Sequence, residues 1–318
     1  MKPPYDITEI ILKQIASISE KIGEIKAAQL SKPPAVLRKK NKIKTIQSTL
    51  EIEGSTLTIE QVTAIIENRR VAAPRKDIIE VQNAAAVYSS LHSFNVFSLK
   101  SLCEAHKMLM NGLLDNPGKL RGKSVGILKG SQVAHVAPPG DMVQPLMNDL
   151  FKYLKNDSEL VLIKSCVFHY ELEFIHPFID GNGRMGRLWQ TLILKNQNPV
   201  FEFLPVEGLI KESQADYYSA LSKSDRAGNS TLFIEFMLEI IDKTLEELLK
   251  SQNFALTAEN RIDLFRDSIK DEFFSRQDYL RFFKKISSAT ASRDLKFAVD
   301  MHILKKRGDK RTAKYKFN

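Results

Sequence analysis

Apolar residues recur three and four apart along most of this chain, and that period confines it to a mainly helical architecture. The run DITEIILKQIASISEKIGEIKAAQL keeps the spacing over 6–30, SKPPAV breaks it, and VLRKKNKIKTIQSTLEIEG resumes it over 36–54. Gly54 stands where a helix would end on a left-handed residue. A third helix begins at TIEQVTAIIENRR, where Thr58 and Gln61 have the spacing of a capping box. Further helices are expected near 78–93, 98–112, 143–154, 158–174, 184–196, 212–223 and 231–250. One segment departs from the period. GKSVGILKGSQVAHVAPPGD holds two short β-prone runs about Lys129-Gly130-Ser131-Gln132 and closes on Pro138-Pro139-Gly140, which predicts a β-hairpin on a helical body.

At 318 residues the chain exceeds one core of ordinary size, so two or three domains are expected. No apolar run reaches the roughly 18 residues of a membrane span, and the N-terminus MKPPYDITEI lacks the apolar core of a signal peptide. Cys103 and Cys166 fall within apolar helical patterns and read as reduced core thiols, which suits a cytoplasmic protein. Charge is uneven. Residues 255–318 hold 16 Lys and Arg against 9 Asp and Glu, a net of +7, while the other 254 residues net +2. An acidic partner is therefore expected at the C-terminal end.

The stretch HPFIDGNGRMGR, 176–187, carries the chemistry. A polar turn between helices explains Pro177, Gly181 and Gly183, but not a histidine and two arginines in the same twelve residues. An EF-hand with Asp180 as third ligand would place Phe178 and Trp189 at oxygen-donating positions, and a P-loop would need Gly-Lys-Ser/Thr. An anion nest opening a helix accounts for Gly181, Gly183, the two arginines, Asp180 and His176 together. Gly181 and Gly183 let backbone N–H groups converge on a phosphate, and the helix dipole adds positive potential. Arg184 and Arg187, three apart, share one face. Asp180 is a hard oxygen ligand suited to Mg2+ on the phosphates, and His176 suits a general base near neutral pH. These are parts for hydroxyl attack on a nucleotide phosphate.

The same stretch resembles the signature of Fic-domain proteins, His-Pro-Phe-x-Asp-Gly-Asn-Gly-Arg-x-x-Arg, at every defined position. The resemblance covers roughly 10–240. It implies a helical core with a hairpin flap, and AMP transfer from ATP-Mg2+ to Ser, Thr or Tyr hydroxyls of target proteins. It implies His176 as base and Asp180 as metal ligand. Gly181, Asn182, Gly183 and Arg184 would surround the α- and β-phosphates, and Arg187 would meet the γ-phosphate. The hairpin at about 124–136 would hold a target by strand addition. Tyr217 and Tyr218 stand where the family places an aromatic beside adenine, and they fit a helix core equally. TLEIEG, Thr49 to Gly54, puts Glu53 in the last turn of its helix, where the dipole disfavours a carboxylate by roughly 0.3–1 kcal/mol. That segment resembles the family's inhibitory motif, in which the glutamate pairs with the second signature arginine, here Arg187.

C-terminal to a linker at SQNFALTAEN, three short helices and the basic strand–turn–strand HILKKRGDKRTAKYKF form the pattern of a winged helix-turn-helix. Ser275 is placed to cap one helix, and Ser287 or Ser288 the next, which carries Thr290, Ser292, Arg293 and Lys296. Lys305, Lys306, Arg307, Lys310 and Arg311 crowd the hairpin. DNA or a protein is the partner expected there.

The fold expected is thus mainly α: a helical region over 1–95 with the inhibitory helix at about 36–53, a Fic-type core over 96–250, and a winged-helix-like domain over 256–318. The activity expected is that of a self-inhibited adenylyltransferase acting on target proteins and on itself. Two alternatives stand beside it: a DNA-binding regulator that uses nucleotide as a signal, and a hydrolase removing AMP in the same site. A homodimer stays open.

Overall fold

The computed structural model describes all residues except 1, 28–34, 124–125, 130–131, 253–256, 267–268, 270–271, 284–285 and 310–311. The chain divides into two compact units, Met1–Ser31 with Asn41–Leu248, and Lys32–Lys40 with Leu249–Asn318.

The first unit opens with α1 (Glu9–Ala27), which buries Ile11, Ile18 and Ile25, seven apart and so on one face. α2 (Ala35–Ile52) and α3 (Ile59–Ile66) follow. The expected capping box forms on α3: Thr58 accepts from Gln61 N–H while the Gln61 side chain accepts from Thr58 N–H. Next come α4 (Arg75–Ser89) and α5 (Leu99–Leu109). The expected hairpin forms from β1 (Gly126–Lys129) and β2 (Gln132–Val136), antiparallel, with a register shift between Ile127 and Leu128. α6 (Gly140–Asn156) leads into α7 (Val161–Ile175) and α8 (Asn182–Gln197).

α7 and α8 set where the core lies. α7 places buried residues on all sides, and α8 buries twelve of its residues, among them Trp189, whose indole N–H donates to Val96 O at 3.1 Å. Gly186 brings the pair close: a Cβ there would lie 2.6 Å from Cδ2 of His169. The unit ends with α9 (Val206–Glu212), α10 (Gln214–Ala227) and all but the last residues of α11 (Thr231–Gln252). Cys166 is buried as expected, while Cys103 is only half-buried, and both thiols are free. Among the described residues no helix is long and apolar enough to cross a membrane.

The second unit contains α12 (Ala258–Arg266), β3 (Phe274–Ser275), α13 (Arg276–Phe282), α14 (Ser288–Asp300), β4 (Leu304–Arg307) and β5 (Lys314–Phe317). The strands form one antiparallel sheet in the order β3-β5-β4. Part of the expected linker, 253–256, lies outside the described residues. Ser275 caps α13, and Ser287 is the serine that caps α14. Phe265, Phe274, Tyr279, Leu295 and Leu304 are core residues of this unit. Asp294 is buried there and ties three helices together. It accepts two bonds from Arg261, at 2.6 and 2.7 Å, and one from the Tyr279 hydroxyl at 3.1 Å. A buried carboxylate persists only when paired in this way.

Candidate active site

His176 ends α7 in the left-handed region, with φ 51° and ψ 59°, and its N–H still donates to Leu172 O at 2.9 Å. Pro177 disfavours a right-handed helical backbone at the residue before it, so the helix stops here. For a residue with a Cβ this conformation costs on the order of 1–2 kcal/mol, and the surroundings must hold it.

The next four residues turn the chain into α8. Gly181 takes φ 82° as the N-cap, and its N–H donates to Oδ1 of Asp180 at 2.6 Å. Asn182 is buried and clasps the loop: its Oδ1 accepts from Phe178 N–H and its Nδ2 donates to Phe178 O, both at 2.9 Å. Its side chain therefore braces the nest from behind. Arg184 and Arg187 are both buried, on one face of the first turns of α8.

That face already holds an anion. α2 closes with Gly54 at φ 98°, where Ser55 N–H donates to Leu50 O and Gly54 N–H to Glu51 O, both at 3.0 Å. The ending leaves Glu53 at the helix terminus, with Oε1 2.7 Å from Nη2 of Arg187. The same oxygen lies against the nest, since a Cβ on Gly183 would stand 2.6 Å from it. Arg187 also donates from Nε to Thr49 Oγ1 at 3.0 Å and from Nη2 to Thr49 O at 3.2 Å. Burial works against the guanidinium charge, but the charge and hydrogen bond of Glu53, with Tyr217 and Glu173 adding to them, together outweigh it and hold the Arg187 pKa above its ordinary value. The penalty for a carboxylate at the end of α2 is offset by Arg187 and by the start of α8. The last carbonyl of α2 is held as well, for Ile52 O accepts from Nε2 of Gln214 at 2.9 Å and from the Tyr218 hydroxyl at 3.4 Å.

Tyr217 is fully buried, with its hydroxyl 3.1 Å from Nε2 of His169 and its ring beside Phe233, so it is a core residue. Tyr218 is half-buried beside the end of α2. The hairpin expected as a flap has the strand pairing described above.

Two residues of the site escaped the sequence reading. His106 is buried on α5. Gly118 N–H donates to its Nδ1 at 2.8 Å, so Nε2 carries the proton and donates to Asp180 O at 2.9 Å. Burial pulls its pKa below the ordinary imidazole value, in keeping with a neutral ring stacked on Phe178 at 3.7 Å between centroids. Glu80 of α4 reaches Nη1 of Arg184 at 3.2 Å. Both lie 70 or more positions from the signature, on helices whose spacing shows only amphipathicity.

Asp180 is well exposed, and among the described residues no group of three or more His, Cys, Asp or Glu is placed to hold a metal. A lone carboxylate beside an anion nest fits Mg2+, which takes one or two carboxylates and draws its remaining ligands from phosphate and water.

Several known proteins are similar to this chain. The model of the Fic/DOC family matches residues 96–194. The crystal structure of a Fic family protein from Desulfovibrio desulfuricans superposes with a TM-score of 0.76 at 38% identity, covering 100% of this chain and 98% of that one. A protein adenylyltransferase Fic from Nematostella vectensis is 28% identical over 73% of this chain and 56% of its own length. One of the same name from Drosophila grimshawi is 26% identical over 74% of this chain and 48% of its own. The chain thus spans about half the length of the curated relatives it matches.

Proposed function

The chain belongs to the Fic family, and from that premise we propose that it is a protein adenylyltransferase held inactive by its own Glu53. The observation that carries this reading is the Glu53 carboxylate, 2.7 Å from Arg187 and lying against Gly183, where a terminal phosphate would otherwise meet the nest.

In the active form Gly181, Gly183 and the α8 N-terminus receive the phosphates of ATP, with Arg184 and Arg187 beside them. The target hydroxyl oxygen attacks the α-phosphorus and the bond to the pyrophosphate oxygen breaks. Pyrophosphate leaves, and His176 takes the hydroxyl proton. Asp180 would hold Mg2+, which supplies neutralisation of phosphate charge. Asn182 and His106 keep the loop in shape, the one through Phe178 and the other through the Asp180 carbonyl. The targets are hydroxyl-bearing proteins, this chain included.

The test is labelling from radiolabelled ATP by wild type and by Glu53→Gly. Displacing a blocker separated by about 1.4–3 kcal/mol from the productive pose raises transfer by one to two orders of magnitude. Equal labelling by the two proteins would overturn the inhibitory reading.

For the second unit we propose contact with a duplex nucleic acid through a winged helix. Arg293 and Lys296 are exposed on α14, and Lys305, Lys306 and Arg307 are exposed along β4. Lys310 and Arg311, expected on the same hairpin, lie outside the described residues.

A further inference from the structure

Arg121 is a nearly fully buried cation, 4% exposed, in the segment between α5 and β1. Among the described residues, all its side-chain acceptors are backbone carbonyls. Nε donates to His176 O at 2.7 Å, and Nη2 donates to Ile175 O at 2.9 Å. Nη1 donates to Lys123 O at 2.7 Å, and Nη2 also donates to Pro138 O at 2.8 Å. The main-chain N–H of Arg121 donates to Pro177 O at 2.9 Å.

These five acceptors fall into two groups. Ile175, His176 and Pro177 are the end of α7 and the first step beyond it, where a helix leaves carbonyls without intrahelical donors and its dipole favours a cation. Lys123 and Pro138 are the two feet of the hairpin, one preceding β1 and the other following β2. The feet also touch directly, because a Cβ on Gly140 would stand 2.2 Å from the carbonyl carbon of Gly122. One planar, five-donor guanidinium thus joins the left-handed backbone of His176 to both ends of the hairpin. A lysine has the charge, but it lacks the planar fork needed to reach acceptors in several directions.

We propose that Arg121 is a positioning residue for AMP transfer. It holds the backbone that aims His176 and fixes the distance between that base and the hairpin edge along which a target segment would lie. The catalytic part of this inference rests on the adenylyltransferase reading, while the mechanical part, that one side chain ties hairpin to loop, does not. Arg121 approaches neither the nest nor Arg187 through any of these bonds, so its loss acts on turnover and on the target and spares ATP.

The experiment uses the full chain carrying Glu53→Gly, with and without Arg121→Lys, and a third protein with Arg121→Ala. Transfer is followed at saturating ATP, ATP affinity by calorimetry, and backbone hydrogen exchange over 119–123, 138–142 and 175–179. With Arg121→Lys, transfer falls at least ten-fold and the ATP Kd stays within two-fold. Exchange quickens at all three segments together. Added guanidinium ion restores part of the transfer that Arg121→Ala removes, which a general loss of packing would not allow. Turnover equal to that of the parent would overturn the proposal. So would quickened exchange in the hairpin feet alone or in the loop alone, or ATP binding that disappears together with thermal stability. A parent that labels nothing would refute the adenylyltransferase reading, and the exchange data would still decide whether Arg121 ties the two segments.

Discussion

Glu171 and Glu173 stand two residues apart on α7 and titrate in opposite directions. Burial raises the Glu171 pKa to about 7, and the nearby charge of Asp225 adds to the rise. Burial pushes Glu173 upward too, but His169, Arg187 and His176 together outweigh it and bring the Glu173 pKa below its ordinary value. For Glu171 the folded pKa exceeds the unfolded one, so its protonated form favours the fold. That contribution is complete below about pH 4.5 and is lost as pH rises through about 7. A Glu171→Gln variant never has to ionise at this position. Its melting temperature should therefore gain on wild type between pH 5 and pH 8, by an amount corresponding to roughly 2–3 kcal/mol. A difference that does not change with pH would show that Glu171 is solvated. Sequence alone separates these two glutamates poorly, because their environments come from α8 and α10. His176, Asp180 and the nest glycines were legible because their chemistry is local to twelve residues. Arg121, His106 and Glu80 were not, because their partners are backbone carbonyls or an arginine far along the chain.

At the level of elements, the proposed self-inhibition makes α2 a latch. Thr49 lies one turn before Glu53, and its hydroxyl accepts from Nε of Arg187 at 3.0 Å. Thr49→Val keeps the shape but leaves that buried N–H without its acceptor while the latch is closed. An unmet buried donor costs about 1–3 kcal/mol. Transfer by Thr49→Val should thus exceed that of wild type by several-fold to about a hundred-fold, without passing Glu53→Gly, and side-by-side labelling checks it. No gain over wild type would mean that the Thr49 hydroxyl contributes nothing to keeping α2 closed on Arg187. The end of this helix was readable in the sequence, since only a residue tolerant of positive φ suits its closing turn and Gly54 supplies one. The hairpin was readable from its break in period. α9 was not, because seven residues give too few turns for a period to show and Gly208 interrupts them.

Across the whole molecule, charge and chemistry are segregated. The last 64 residues carry most of the net positive charge, and the signature holds the residues proposed for the reaction. If the second unit binds duplex DNA, affinity falls steeply with salt. Neutralising Lys305, Lys306 and Arg307 should then flatten the logarithmic salt slope by roughly one unit for each phosphate that no longer meets a cation. Fluorescence anisotropy of the full chain on a short duplex reads the slope, and no binding at low salt would leave a protein as the partner. Lys306 contributes least, because its ammonium is already paired with Asp309 at 2.8 Å. Under the proposed self-inhibition, the blocking carboxylate and the arginine it covers belong to one polypeptide, 134 positions apart. Dilution therefore cannot part them: the local concentration of the blocker is a property of the chain and not of the sample. Activity per molecule should be the same in a crowded preparation and a sparse one, and only something that competes for Arg187 or pulls on α2 can change it.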